Sequence, residues 1–237
     1  MDPSTHLAGE GHRAGAVSAL VEAIRAALRA SADPSRAPGQ QAYMKSAMPF
    51  LGVTVPEVRR IVRSAASRTA DAAILRAAAS ELWDAASHRE ERYAAMQLIG
   101  QRPTRTQWDN VALVEHMVRT GRWWDITDEL AHRLAELHDA LPRETADLVR
   151  RWSTDAELWV RRIAILSQLG RRDRVDRDLL AELIEPNRPD ADFFIRKAIG
   201  WALREYARVD PDWVRDYVGT HQLSPLSRRE ALKHLTP

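Results

Sequence analysis

The segment Gly121-Arg-Trp-Trp-Asp-Ile-Thr-Asp gathers the residue types most able to do chemistry in this chain of 237 residues. Trp124 and Asp128 are four residues apart, so on a helix an indole and a carboxylate project from one face. A carboxylate fixed beside an aromatic plane can stabilise a developing cation or orient a water molecule. Asp125 stands closer to the start of the same helix, where an acid caps the chain or complements the helix dipole. Taken alone, Asp128 fits an exposed structural acid more readily than a reactive one.

The elements that must position this pair are helices. Hydrophobic residues make up 45% of the chain and charged residues 29%, with Ala, Leu and Arg dominant and β-branched runs nearly absent, a mixture that favours helix over strand. Val17, Leu20, Val21, Ile24 and Leu28 recur at the three-and-four spacing of an amphipathic helix. Beyond a loop at Ser31 to Gly39, helical segments follow one another, broken at Gln101-Arg-Pro-Thr, Leu141-Pro and Glu185-Pro-Asn-Arg-Pro. Residues 1–12 are polar and glycine-containing and are expected to be disordered; residues 13–237 are expected to form a single domain.

Cysteine is absent, which removes thiol nucleophiles, thiolate metal sites and disulfide frameworks and fits a reducing compartment. His116, His132 and His138 lie near one another without an acid-and-histidine ligand spacing, and there is no glycine-rich phosphate loop. No metal or cofactor is expected. Glu22, Arg25 and Arg29 interrupt the early apolar stretch, so neither a signal peptide nor a membrane span is expected, and a cytoplasmic protein is. The formal net charge of +2 is too small to indicate nucleic acid unless the cations cluster.

They do cluster along a repeat. Arg161-Arg-Ile-Ala-Ile-Leu matches Arg196-Lys-Ala-Ile-Gly-Trp at a shift of about 35 residues, and Glu91-Arg-Tyr-Ala-Ala-Met and Ile126-Thr-Asp-Glu-Leu-Ala fall on the same ladder. A unit of that length holds two helices, the signature of an α-solenoid. Positions 92, 127, 162 and 197 should then line one surface, with Arg92, Arg161, Arg162, Arg196 and Lys197 on or beside it. Trp123, Trp124, Trp159 and Trp201 lie near the ladder, in a chain with 8 tryptophans and only 3 phenylalanines. Cations interleaved with large aromatics suit a phosphate backbone and its sugars or bases. The same residues fit a solvated arginine face over a tryptophan core.

Five separated segments resemble the DNA alkylation repair family of AlkD-type glycosylases: Tyr43-Met-Lys-Ser-Ala-Met-Pro-Phe-Leu-Gly-Val, Trp123-Trp-Asp-Ile-Thr-Asp, Leu158-Trp-Val-Arg-Arg-Ile-Ala-Ile-Leu, Phe193-Phe-Ile-Arg-Lys-Ala-Ile-Gly-Trp-Ala-Leu-Arg-Glu-Tyr and Leu226-Ser-Arg-Arg-Glu-Ala-Leu-Lys. The resemblance spans nearly the whole chain in order. It implies an all-α, right-handed α-solenoid of HEAT-like helical repeats with a basic concave face for duplex DNA. It further implies that Asp128 is the catalytic carboxylate, with Trp124, Trp201 and Arg162 around it and Arg204 as a phosphate contact. Assigning the arginine to Arg162 rather than Arg161 rests on a one-residue choice. Tyr43 and Lys45 match the family's N-terminal DNA-contacting motif.

The activity so implied is removal of purines alkylated at N3 or N7, with double-stranded DNA as partner, no required protein partner and a monomer as the working form. The base would react without being extruded. A base that is already cationic leaves as a neutral molecule without prior protonation, so one carboxylate suffices where ordinary glycoside hydrolysis uses two. A non-catalytic binder of duplex, branched or damaged DNA would keep the cations without needing Asp128. A scaffold for acidic proteins is the generic use of a solenoid.

Overall fold

The computed structural model describes residues 3–235, with side chains described from residue 11 onward. Among the described residues all regular structure is helical and no strand occurs. No helix among the described residues is long and apolar enough to cross a membrane. The chain divides into two compact units, Met1–Leu113 and Val114–Pro237.

The first unit contains α1 (Pro3–Ala30), α2 (Ala37–Met44), α3 (Val55–Ala66), α4 (Ala72–Asp84) and α5 (Arg89–Leu98). Val17, Leu20, Val21, Ile24 and Leu28 of α1 are buried against α3, α4 and α5, the face that the three-and-four spacing marks. Helix α1 is assigned from Pro3, where the sequence suggested an irregular chain up to residue 12; residues 1 and 2 lie outside the described residues. A helix already nucleated by a packed C-terminal half needs only one further hydrogen bond per residue to extend.

The loop joining α2 to α3 is held by a buried acid. Glu90, at the start of α5, accepts hydrogen bonds from the amides of Leu51 (2.9 Å), Gly52 (2.9 Å) and Val53 (3.1 Å). Gly52 has φ +88°, and a Cβ there would stand 2.0 Å from the Asp33 carbonyl oxygen. Only glycine fits, because both the left-handed backbone and the close approach exclude a side chain.

The second unit contains most of α6 (Val111–Gly121), then α7 (Trp124–Ala140), α8 (Pro142–Trp152), α9 (Leu158–Leu166), α10 (Arg177–Ile184), α11 (Phe193–Tyr206), α12 (Pro211–Thr220) and α13 (Pro225–Ala231). Proline opens α8, α12 and α13 at the first turn, where its missing N–H costs nothing. Asp176, Asp192 and Asp210 cap α10, α11 and α12 through their side chains. Helix α9 packs on α7 and α11, while α8 packs on α7 and α9, and α10 on α8 and α9. This is the pairing of a helical repeat. Helix α13 packs most extensively on α11.

The fold requires a correction to the expected basic ladder. Thr127 is fully buried, with its hydroxyl donating back to the Trp123 carbonyl at 3.0 Å. Arg162 is buried as well, at 4% exposure. Equivalent positions of α7 and α9 therefore face the interior, because the repeat conserves helix phase but does not determine whether that phase meets solvent.

Candidate active site

Asp128 and Trp124 occupy the first turns of α7, which begins with Trp123 at its N-cap and Asp125 in its first turn. Asp125, in the first turn, brings negative charge to the helix N-terminus. Four residues on, Asp128 meets Arg162 of α9 in a two-pronged pair: Nε donates to Oδ1 at 2.8 Å and Nη2 to Oδ2 at 2.9 Å. The third prong, Nη1, donates to the Phe194 carbonyl at the start of α11, and the guanidinium lies 5.9 Å from the Phe194 ring. One arginine thus ties three successive helices of the layer to a single carboxylate.

The start of α9 is fixed from behind. Arg119 of α6 donates to both oxygens of Asp155, at 3.1 and 2.6 Å. Asp155 in turn accepts from the Glu157 amide at 2.8 Å, and its carbonyl accepts from Arg161 at 2.8 Å. Arg161 also reaches Asn187 (3.1 Å) and Asp190 (2.7 Å). Adjacent helix positions point about 100° apart, so Arg161 and Arg162 serve different neighbours. Both are engaged within the protein, and neither is placed as the phosphate contact that the sequence suggested.

Asp128, Trp124 and Arg162 share one recess of about 370 Å³ with Phe193, Phe194, Lys197, Trp201 and Arg204. The Asp128 side chain keeps 16% of its surface and that of Arg162 only 5%, so the carboxylate has one open edge while its counter-ion is sealed behind it. Burial pushes the Asp128 carboxyl above its ordinary value. Hydrogen bonding to Arg162 and its positive charge oppose that rise, and the negative charge of Asp125 adds to it. The result is a desolvated acid whose ionised form depends on one arginine.

The other expected site residues divide clearly. Trp201 lines the recess, whereas Trp159 is buried at 5% exposure and packs with Trp123 and Phe194, ring centroids 5.9 and 4.9 Å away; it is core, not a nucleic-acid surface. Arg196 donates to the Asp190 carbonyl at 2.8 Å. Lys197 and Arg204 stand at the recess and pair with Glu230. In the first unit, Tyr43 is 74% exposed and Lys45 follows at the left-handed C-cap of α2, so both are open to solvent. Arg92 lies over the Trp83 indole, 4.7 Å from its centroid.

Three residues of the site were missed. Phe193 and Phe194 had a usable signal, since they are two of only 3 phenylalanines in the chain. Glu230 had none, being hidden beside Arg228 and Arg229 in a run that reads as a basic surface. Among the described residues no three His, Cys, Asp or Glu side chains are grouped to hold a metal ion.

An all-helical chain with a buried carboxylate–arginine pair opening into an aromatic, cation-rimmed recess is matched by the family model described as DNA alkylation repair enzyme over residues 24–235. The chain belongs to that family. It is similar to a solved structure described as a predicted DNA alkylation repair enzyme from Enterococcus faecalis, with 28% identity and a TM-score of 0.77, over 87% of this chain and 97% of that one. A second solved structure, AlkD2 from Streptococcus mutans, is 16% identical with a TM-score of 0.62, covering 78% of this chain and 92% of that one, and shares the fold. No curated protein matches.

Proposed function

We propose that this protein is a DNA glycosylase that hydrolyses the N-glycosidic bond of cationic N3- and N7-alkylated purines in duplex DNA, working as a monomer without cofactor or protein partner. The observation that carries this reading is the Asp128 carboxylate, pinned by Arg162 and open on one edge to a recess that Trp124 and Trp201 also line.

Alkylation at N3 or N7 places a positive charge on the purine, so the C1′–N bond breaks with its electron pair going to the base, which departs neutral. The sugar is left with oxocarbenium character. An anion held beside C1′ stabilises that charge without reorganising, because Arg162 fixes it in advance. The same carboxylate accepts a proton as the water oxygen bonds to C1′. Trp124 and Trp201 offer electron-rich faces to the cationic nucleotide, an attraction of about 0.5–2 kcal/mol per contact. Lys197 and Arg204 supply the cations for a flanking phosphate.

The lining of the recess is aromatic and charged, with four aromatic side chains beside Asp128, Arg162, Lys197 and Arg204 and no amide or hydroxyl side chain. Recognition by charge and bond lability, rather than by a base-shaped pocket, fits that lining.

The test incubates purified protein with duplex DNA carrying 7-methylguanine or 3-methyladenine and measures free base. Wild type releases base, and Asp128→Asn loses about 10²–10³-fold in rate, the scale of removing one transition-state stabiliser. Duplex binding by wild type with no base release from either lesion would leave the non-catalytic DNA-binding reading in its place.

A further inference from the structure

The two cations at the recess are set by an acid outside its lining. Lys197 Nζ lies 3.0 Å from one oxygen of Glu230, and Arg204 Nη1 donates to the other. Each carboxylate oxygen therefore serves one cation. The Glu230 side chain is 13% exposed, against 36% for Lys197, and Glu230 does not line the recess that Lys197 and Arg204 line. Hydrogen bonding to Lys197 and Arg204 and their charges hold the Glu230 carboxyl below its ordinary value, so it is ionised throughout the neutral range.

The position of this acid is built into the packing of α13 on α11. Gly200 faces α13 so closely that a Cβ there would lie 2.5 Å from the Glu230 Cβ and 2.8 Å from the Ser227 carbonyl oxygen. Ser227 Oγ donates to the Arg196 carbonyl at 2.9 Å, locking the two helices in register. Glu230 thus starts from a fixed base and reaches the two cations with little freedom to follow them elsewhere. An ammonium carries three donors and a guanidinium five, so one bond each to Glu230 leaves the remaining donors for a ligand.

We propose that Glu230 is a positioning residue: it immobilises Lys197 and Arg204 beside the recess and cancels one of their two charges, so that they grip one flanking phosphate in a set geometry while undamaged backbone is held weakly. The physical trade is explicit. A rim carrying both charges uncompensated would draw any polyanion more strongly, but a lysine and an arginine without a common anchor would spend rotamer entropy to reach the phosphate at a lesion. The inference rests on DNA being the ligand, as proposed above, and adds a determinant of how damaged and undamaged duplex are told apart.

The experiment compares wild type, Glu230→Gln and the double variant Lys197→Gln/Glu230→Gln by binding to an undamaged duplex at low and high salt, by single-turnover release of 7-methylguanine, and by thermal melting. Glu230→Gln should bind undamaged duplex roughly threefold more tightly at low salt, the effect of one unit charge a few ångströms from a phosphate in water. High salt should erase the difference. Its rate of base release at saturating enzyme should fall, although binding has tightened. The double variant has the wild-type net charge and should return to wild-type affinity for undamaged duplex without recovering the rate. Unchanged or weaker binding by Glu230→Gln at low salt overturns the proposal, as does loss of rate and affinity together with a lowered melting temperature. The binding measurements decide this question even if the wild type releases no base, an outcome that would count against the glycosylase reading alone.

Discussion

Asp128→Asn leaves the Arg162 guanidinium in place with its counter-charge gone. Arg162 retains 5% of its side-chain surface, so water cannot replace the lost partner, and one of the two prongs now meets an amide N–H instead of an oxygen. Breaking a buried pair by removing one member costs about 3–5 kcal/mol. The 16% exposure of Asp128 lets some solvent reach that edge and argues for the lower end. For a chain of this length about 3 kcal/mol lowers the melting temperature by roughly 6–12 °C. Arg162→Met removes the cation instead, stranding a desolvated carboxylate and the Phe194 carbonyl, and should cost at least as much. Removing both, in Asp128→Asn/Arg162→Met, strands no charge. The double variant should therefore be more stable than the sum of the single losses by about 2 kcal/mol or more. Melting followed by circular dichroism measures all four proteins, and free-base release is measured alongside at a temperature where each is folded. All three variants should lose base release by about 10²-fold or more, and the stability of the double variant should lie well above the sum of the two single losses. The reasoning fails if either single variant melts within about 2 °C of wild type, or if Asp128→Asn keeps wild-type release while folded.

Three further outcomes follow from the geometry. In the proposed mechanism base release requires the Asp128 anion, and burial places its carboxyl above the ordinary range; activity should decline as pH falls, with an inflection above the usual Asp value of about 3.9, and a profile flat down to that value would contradict that mechanism. His138 is buried at 3% exposure, bonded to Ser167 at 3.3 Å, and burial, aided by the charge of Arg171, pulls its pKa down to about 4. Because the folded value lies below the unfolded one near 6.5, the stability of the second unit should be full above pH 6.5 and lost progressively as pH falls toward 4, by about 3 kcal/mol. Chemical denaturation across that range, compared with His138→Gln, should show the slope in wild type and its reduction in the variant; equal slopes would remove His138 as the cause. Gly200→Ala forces a methyl group into the contact with Ser227 and Glu230 and should destabilise by about 1–3 kcal/mol, with weakened protection of α13 to amide exchange. Unaltered exchange in α13 would show that the helices separate freely.

The helices themselves were legible in the sequence because their period is a property of the local chain. The spacing from Val17 to Leu28 marks the buried face of α1, and Trp124 and Asp128 share a face because four residues make about one turn. Breaks at Leu141-Pro and Glu185-Pro fall between helices because proline cannot donate the hydrogen bond that the helix interior needs. The same periodicity could not say what a face meets. Trp159 and Trp201 are equally tryptophans at helical spacing, yet one is sealed against Trp123 and Phe194 and the other opens on the recess.

Family resemblance named Asp128 and Arg162, but their pairing spans 34 residues of sequence, and no local rule chooses Arg162 over Arg161. Tertiary packing chose, by presenting Asp128 to one and Asp190 to the other. It also tied Arg161, Arg162 and Arg196 to partners within the protein, and brought Glu230 to Lys197 and Arg204 beside the recess. Secondary structure follows from short-range sterics and hydrogen bonding, which the order of residues contains in full. The ionisation state of an acid and the partner of a cation depend on distance and desolvation between segments remote in the chain, and those quantities exist only once the helices have packed.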